Sequence, residues 1–270
     1  MADVRARLVV LDIDGTLLDA YTPLSARTAE ALRDLRHRGL QLAFASSRPI
    51  GSLQLLARQL DVAAHLIGFN GAVVVRDCGR QLIAETFVVD ARLTGALRTF
   101  ADTGGAVNVY QPSRWLAVAP AAATDHEEQV TGLTADERGT PDALAQLLGE
   151  SVLKVMCRGS TSARADVLDE LAVRDDLTAV TSGWDCCDIQ ARGIDKGIAV
   201  SELCRSLQIT PADVVAFGDS DSDAPMLQLA HYGVAVGAAS ERAKAVSCEH
   251  IDGPGSEAVA DWLGRITVSR

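Results

Sequence analysis

Two carboxylates near the start of the chain stand two residues apart, directly after an apolar run. The run Leu8-Val9-Val10-Leu11 has the composition of a buried strand, and Asp12-Ile13-Asp14-Gly15-Thr16 follows it. A carboxylate fixed at a strand end can attack an electrophile, and a second one beside it can exchange a proton with a leaving group. Taken alone, the stretch is also compatible with an acidic turn after a strand, so its interpretation depends on partners elsewhere in the chain.

Other polar residues also follow apolar runs that predict buried strands. Ser46 follows residues 40–45, and Asp219 and Asp223 follow residues 214–217. In an open parallel sheet the ligand crevice lies outside the carboxyl ends of the strands. We therefore expect the three segments to meet at one mouth, although each of these residues alone is also typical of a helix N-terminus.

Four carboxylates at one mouth would repel one another. Two like charges ~4 Å apart repel by ~4 kcal/mol at an effective dielectric constant of ~20. A hard divalent cation relieves this repulsion, and an all-oxygen set of carboxylates, a backbone carbonyl and waters favours Mg²⁺ over zinc. Such an ion also neutralises the oxygens of a phosphate and orients the phosphate for in-line attack.

The roles of the residues in such a reaction follow from their positions. Asp12 is the candidate nucleophile against phosphorus, and Asp14 is placed to protonate the leaving oxygen and later to activate water. Ser46 can donate to a phosphoryl oxygen where a helix N-terminus also favours an anion. Lys196 opens the returning half of the chain and is the best candidate for the basic residue, although alone it would be a solvated helix residue.

Strands and helices alternate along the chain, with one interruption. Ser25 is the predicted cap of a first helix, and Pro49 suits the first turn of a second. The alternation resumes with a predicted helix over residues 196–207. The interruption mixes helical patterns with short strands, at residues 91–101, 142–148 and 163–173 and at residues 107–110, 115–118 and 152–156 respectively.

This organisation predicts an α/β fold. Residues 1–85 and 190–270 are expected to form a Rossmann-like, doubly wound parallel sheet core. Residues 86–189 are expected to form an inserted α+β cap domain. The cap should close over the mouth during the reaction and, more than the core, select the substrate.

The composition limits the partners of the chain. The 270 residues carry a formal net charge of −11, and only 4% of them are aromatic. A negative chain without a Lys/Arg-rich run repels nucleic acid and acidic membrane surfaces, and no apolar segment is long enough to span a bilayer. We therefore expect no nucleic acid or membrane partner, a cytoplasmic location, and a monomer or homodimer.

The motifs resemble, in order, those of the haloacid dehalogenase superfamily of phosphohydrolases. They are D-x-D-G-T at residues 12–16, Ser46-Ser47-Arg48, Lys196-Gly197, and Gly218-Asp219 with Asp223. The insert lies between the second and third motifs, which is similar to the Cof-type subgroup with an α+β cap. The resemblance covers essentially the whole chain.

The resemblance implies a Mg²⁺-dependent phosphatase that acts on a small phosphorylated metabolite, such as a sugar phosphate, through an aspartyl-phosphate. It assigns Asp12 as the nucleophile and a metal ligand. It assigns Asp14 as the acid/base and, through its backbone carbonyl, as a metal ligand.

The remaining motifs are implied to bind the phosphate and the metal. Ser46 and Lys196 would hold the phosphoryl group, with Ser47 as a further candidate. Asp219 would bind the metal. Asp223 would support the metal through water or by orienting Lys196.

Three positions depart from the usual subgroup pattern. Ser47 stands where glycine is common, Ser222 where asparagine usually precedes the second aspartate, and Ala238 where asparagine often follows glycine. These departures bear on the contacts to the phosphate and the leaving group. Arg48 and Asn70 stay open between a role at the site and a plain salt bridge or turn.

Two other functions use related residues. A phosphomutase of the same superfamily would return the phosphoryl group to the substrate. A signalling receiver domain also gathers aspartates, a Ser/Thr and a lysine around Mg²⁺, but holds the phosphate as a signal. The insert of about 100 residues and the second carboxylate, Asp14, count against a receiver, since a receiver has no leaving alcohol to protonate.

Overall fold

The chain divides into two units, which are described separately. The structure is a computed structural model and describes residues 4–18, 25–160, 162–182, 185–252 and 255–268. The core unit comprises Met1–Ile83 and Asp195–Arg270, and the insert unit comprises Ala84–Ile194. The sequence-based boundaries of the insert were residues 86 and 189.

The first part of the core unit contains the following elements. They are β1 (Val4–Ala6), β2 (Leu8–Asp12), α1 (Ala26–His37), β3 (Gln41–Ala45), α2 (Ile50–Leu60), β4 (His65–Gly68), β5 (Val73–Val75) and β6 (Gln81–Ala84), with a 3₁₀ turn at Phe69–Gly71.

The insert unit follows. Its elements are β7 (Phe87–Val88), α3 (Ala91–Asp102), β8 (Ala106–Tyr110), β9 (Trp115–Val118), α4 (Ala121–Thr131), β10 (Glu137–Arg138), β11 (Ser151–Val152), β12 (Lys154–Arg158), α5 (Ala165–Ala172), β13 (Leu177–Ser182) and β14 (Cys186–Ala191), with a 3₁₀ helix at Pro141–Leu147.

The last part of the chain returns to the core unit. Its elements are α6 (Lys196–Leu207), β15 (Val214–Gly218), α7 (Ala224–Leu229), β16 (Tyr232–Val236), α8 (Glu241–Val246), β17 (Glu249–Ile251), α9 (Gly255–Leu263) and β18 (Ile266–Val268), with a 3₁₀ turn at Pro211–Asp213.

The core sheet has a topological switch point at β2. Its eight strands lie in the order β17-β16-β15-β2-β3-β4-β5-β6. The pairs from β17 to β4 are parallel, and β5 is antiparallel to β4. The chain moves outward from β2 to β4 on one side and from β15 to β17 on the other, so the strand order reverses between β2 and β15. Ligands of α/β sheets bind outside the carboxyl ends of the strands at such a point.

Both faces of the core sheet are buried under helices. In β2, Val9 and Leu11 pack on the face that carries α1, α2 and α9, while Leu8 and Val10 pack on the face that carries α6 and α7. Burial on both faces explains why the strand is a continuous apolar run. The predicted Rossmann-like, doubly wound α/β core is confirmed.

The insert unit is an α+β layer. Its main sheet has the order β10-β9-β8-β12-β14-β13, and the pairs from β9 to β13 are antiparallel. One face of this sheet packs with α3, α5 and the 3₁₀ helix in a single hydrophobic cluster. Among the described residues of both units, no helix is long and apolar enough to cross a membrane.

Two details of the insert differ from the sequence-based prediction. Residues 152–156 were predicted as one strand, but Leu153 separates β11, which pairs with β7, from β12, which pairs with β8 and β14. Helix α4 was not predicted, because its sequence AAATDHEEQVT lacks a regular apolar stripe.

Candidate active site

The ends of three adjacent strands bring the sequence motifs together. Asp12 is the last residue of β2, and Ser46 follows β3, in which Ala45 pairs with Asp12. Asp219 follows β15, the neighbour of β2 on its other side. The chain thus delivers these polar side chains to the switch point of the core sheet, where a ligand crevice is expected.

A buried lysine links two of the carboxylates. Lys196 Nζ lies 2.6 Å from Asp12 Oδ1 and 2.5 Å from Asp223 Oδ1. Lys196 begins α6, where Asp195 caps the helix by accepting a hydrogen bond from the backbone N–H of Ile198 at 2.7 Å. Burial disfavours the charge on Lys196, but the carboxylates of Asp12 and Asp223 outweigh it and raise the lysine pKa. Lys196 is therefore a fixed positive charge at neutral pH.

Asp12 presents one carboxylate oxygen that no described residue uses. Its side chain is 6% exposed, and Oδ2 is buried without a hydrogen-bond partner among the residues the structure describes. Burial, together with the nearby charges of Asp223 and Asp219, raises the pKa of Asp12 well above its ordinary value, while Lys196 opposes the shift. A buried, unpartnered carboxylate oxygen next to a lysine is suited to meet either a cation or an electrophilic phosphorus.

Asp219 is held from the turn that follows β2. Thr16 Oγ1 donates to Asp219 Oδ1 at 3.1 Å. Gly15 has a φ of +92°, and a Cβ at that position would collide with the Asp219 carboxylate. Glycine is therefore needed both for the backbone conformation and for the close approach. Burial and the neighbouring charge of Asp223 raise the pKa of Asp219 to about 6.

Asp223 is saturated by hydrogen bonds. Its Oδ1 accepts from Lys196, and its Oδ2 accepts from the backbone N–H groups of Asp219 and Ser220 at 3.1 and 2.9 Å and from Ser220 Oγ at 2.7 Å. This fully buried side chain therefore orients both Lys196 and the loop that carries Asp219. Ser222, at one of the departures from the subgroup pattern, bonds within the same loop through its hydroxyl, 2.8 Å from Ser220 Oγ.

The carboxylate cluster fits a hard divalent cation. One oxygen from each of Asp12, Asp219 and Asp223 lies within 4.8 Å of the others. All donors are oxygens, and they include Asp12 Oδ2, which has no hydrogen-bond partner in the described part of the chain. This donor set matches Mg²⁺ and does not match zinc, which favours nitrogen and sulfur.

Asp14 is separate from this carboxylate cluster. Its side chain is 49% exposed, and one edge of the Arg48 guanidinium donates to both of its oxygens, with Nε 2.8 Å from Oδ2 and Nη2 2.5 Å from Oδ1. Sequence reasoning left Arg48 open between a site role and a salt bridge. No spacing rule joins two residues 34 positions apart, so only the fold reveals the contact.

The segment after β3 is arranged around Ser46. Ser46 is 1% exposed, and its Oγ accepts a hydrogen bond from the backbone N–H of Arg48 at 3.2 Å, which leaves its O–H to donate. Ser47 is only partly buried. Asn70, with a left-handed φ of 55°, donates its backbone N–H to the Ser46 carbonyl at 3.0 Å, so the turn after β4 braces this segment.

A family model described as haloacid dehalogenase-like hydrolase matches residues 9–263. The chain belongs to this family. The matched range includes Asp12 at the end of β2, Lys196 at the start of α6, and the loop that carries Asp219 and Asp223. The predicted family and enzyme class, a phosphohydrolase of the haloacid dehalogenase superfamily, are confirmed.

Curated relatives cover nearly the whole chain. An HMP-PP phosphatase from Cronobacter sakazakii is 32% identical over 244 residues, with 86% of this chain and 84% of the relative covered. A 5-amino-6-(5-phospho-D-ribitylamino)uracil phosphatase, YcsE, from Bacillus subtilis is 24% identical over 267 residues, with 97% of each chain covered.

Solved structures show the same fold. A haloacid dehalogenase-like hydrolase from Bacteroides thetaiotaomicron superimposes with a TM-score of 0.83 at 22% identity, covering 97% of this chain and 99% of the other. The HAD subclass IIB sugar phosphatase BT4131 gives a TM-score of 0.78 at 19% identity, covering 96% and 98%. At these identities the likeness establishes the architecture.

Proposed function

We propose that the chain is a Mg²⁺-dependent phosphatase that hydrolyses a small phosphorylated metabolite through an aspartyl-phosphate. The observation that carries this proposal is the buried Oδ2 of Asp12, placed at the switch point beside the positive charge of Lys196. The relatives are named phosphatases of small compounds, which supports the substrate class. Their names differ in the compound that carries the phosphate, so the proposal names a class of substrate and not one compound.

In the first step Asp12 Oδ2 attacks phosphorus. The new bond joins Oδ2 to phosphorus, and the bond from phosphorus to the ester oxygen breaks. Lys196 and the Ser46 hydroxyl hold the phosphoryl oxygens, with Ser47 as a further candidate. Asp14 gives its proton to the departing oxygen, so that the product leaves as a neutral alcohol.

In the second step water replaces the aspartate on phosphorus. Asp14, now a carboxylate, accepts a proton from the attacking water. The bond between Oδ2 and phosphorus breaks, which restores the Asp12 carboxylate and releases inorganic phosphate.

Asp12 and Asp219 are the proposed side-chain ligands of Mg²⁺, with the backbone carbonyl of Asp14 beside them and Asp223 supporting them through Lys196 and the loop. When bound, the ion neutralises charge on the phosphoryl oxygens. The insert unit is the proposed source of substrate selectivity. The cytoplasmic location and the monomeric or homodimeric state stay predictions.

Phosphate release from a panel of phosphorylated metabolites tests the proposal. We expect Mg²⁺-dependent release by the wild-type chain and a loss of about 10³-fold or more in Asp12→Asn, because the amide cannot act as the nucleophile. The control is Asp34→Asn, which changes the same charge at an exposed position and should leave the rate unchanged. Full activity of Asp12→Asn would refute the assignment of Asp12 as the nucleophile. Formation of an isomerised phosphate ester without free phosphate would indicate a phosphomutase.

A further inference from the structure

The guanidinium of Arg48 donates hydrogen bonds to both carboxylate oxygens of Asp14. Two donors of one rigid plane meet two acceptors, at 2.8 and 2.5 Å. Such a two-point contact fixes the direction as well as the distance of a carboxylate, whereas a lysine ammonium fixes only the distance. The side chain of Arg48 is 14% exposed and that of Asp14 is 49% exposed, so the arginine is the better-anchored partner.

The backbone of Arg48 is tied to the ends of two core strands. Its N–H donates to Ser46 Oγ at 3.2 Å, and its carbonyl accepts from the N–H of Phe69 at 3.0 Å. Ser46 follows β3 and Phe69 follows β4. The guanidinium that contacts Asp14 therefore extends from a backbone that is hydrogen-bonded next to the ends of β3 and β4.

We propose that Arg48 is a positioning residue for the general acid Asp14, an inference that rests on the proposed function. A half-exposed aspartate without a partner samples several rotamers, and a proton donor must reach its target to within ~3 Å. Arg48 selects one orientation before the substrate binds. Each oxygen of Asp14 keeps lone pairs that the arginine does not occupy, so the proton passes from Asp14 to the leaving oxygen while Arg48 retains its own protons.

The dependence on the leaving group separates this role from a structural one. An alkoxide is a strong base and needs a proton as it departs, whereas p-nitrophenolate is a weak base and departs without one. We expect Arg48→Gln to lower kcat/KM about 10- to 100-fold for an alkyl phosphate such as glycerol phosphate, and less than about threefold for p-nitrophenyl phosphate. Arg48→Lys should recover only part of the activity on the alkyl phosphate, because lysine keeps the positive charge but cannot donate to both Asp14 oxygens from one rigid plane.

Two further variants complete the experiment. Arg58→Gln, at an exposed position on α2, should leave kcat/KM unchanged for both substrates. Asp14→Asn should already show the loss that is selective for the alkyl phosphate, and adding Arg48→Gln should not enlarge the ratio between the two substrates.

Each outcome has a distinct meaning. An equal loss on both substrates in Arg48→Gln, or a further selective loss in the double variant, would overturn the positioning role. A melting temperature of Arg48→Lys near that of the wild type shows that the kinetic effect is not one of folding. A wild-type chain inactive on both esters and on the metabolite panel would refute the proposed function instead.

Discussion

The carboxylates at the strand ends are each hydrogen-bonded to a named partner. Lys196 contacts Asp12 and Asp223, and Thr16 contacts Asp219. A buried charge is tolerated when it is paired and hydrogen-bonded. One carboxylate oxygen of Asp12 is left over among the described contacts, and this is the atom on which the proposed chemistry depends.

The sequence predicted which residues form the candidate site better than it predicted which of their side chains touch. Asp12 and Asp219 were predicted to lie at one mouth because each follows a strand of the predicted parallel sheet. Lys196 was the candidate basic residue because it opens the returning half of the chain, and the structure brings the three together. The pairing of Arg48 with Asp14 could not be predicted. It depends on side-chain directions across two loops, which hydrophobic periodicity does not encode.

His65 makes the stability of the core unit depend on pH. Its Nδ1 accepts from the backbone N–H of Asp77 at 3.0 Å, and its Nε2 lies 3.2 Å from Gln41 Oε1, an arrangement that requires the neutral ring. Burial lowers the pKa of His65 to about 4, although the carboxylate of Asp77 opposes the shift. Because the pKa is about 6.5 in an unfolded chain, the stabilisation is complete above that pH and is lost as the pH falls toward 4.

We therefore expect the free energy of unfolding to fall more steeply with acid in the wild type than in His65→Gln. Between pH 7 and pH 4 the difference should approach about 3 kcal/mol, measured by urea unfolding at a series of pH values. His37→Gln, at an exposed position on α1, should keep the wild-type slope. Identical slopes for His65→Gln and the wild type would show that His65 titrates alike in the folded and unfolded states.

At the scale of elements, the turn after β2 contributes to the arrangement of the carboxylates as much as the strand does. The strand delivers Asp12, but Gly15 allows the turn to lie against the Asp219 carboxylate. The apolar runs of the parallel strands made the core sheet predictable from the sequence. The pair of three-residue strands β1 and β18 and the split between β11 and β12 were not, since runs so short carry no periodicity.

Alanine variants of two glycines with the same φ separate backbone strain from the contact with Asp219. Gly15 and Gly39 have φ values of +92° and +91°, but a Cβ on Gly39 would meet nothing within 4 Å. Both alanine variants should lose about 1 kcal/mol or more of stability through backbone strain. Only Gly15→Ala should also need a higher Mg²⁺ concentration for the same rise in melting temperature, because it displaces Asp219. Equal Mg²⁺ titrations for the two variants would argue against Asp219 as a ligand.

At the scale of the whole molecule, the fold was more predictable than the substrate. Four ordered motifs, with an insert between the second and third, indicate the family, and the matched family model confirms it. The solved structures show the same fold. The fold places Asp12, the proposed nucleophile, at a switch point that many α/β proteins share. The named relatives differ in the metabolite that carries the phosphate, and the proposed source of this selectivity is the insert unit.

The stereochemical course at phosphorus tests the central claim most directly. Each in-line displacement inverts the configuration, so transfer to Asp12 followed by transfer to water restores it. A phosphorothioate ester, made chiral with sulfur and two oxygen isotopes and hydrolysed in water that carries the third isotope, should therefore give inorganic thiophosphate with retained configuration. Thiophosphate of inverted configuration would mean that water attacks the substrate directly, and it would contradict the aspartyl-phosphate account.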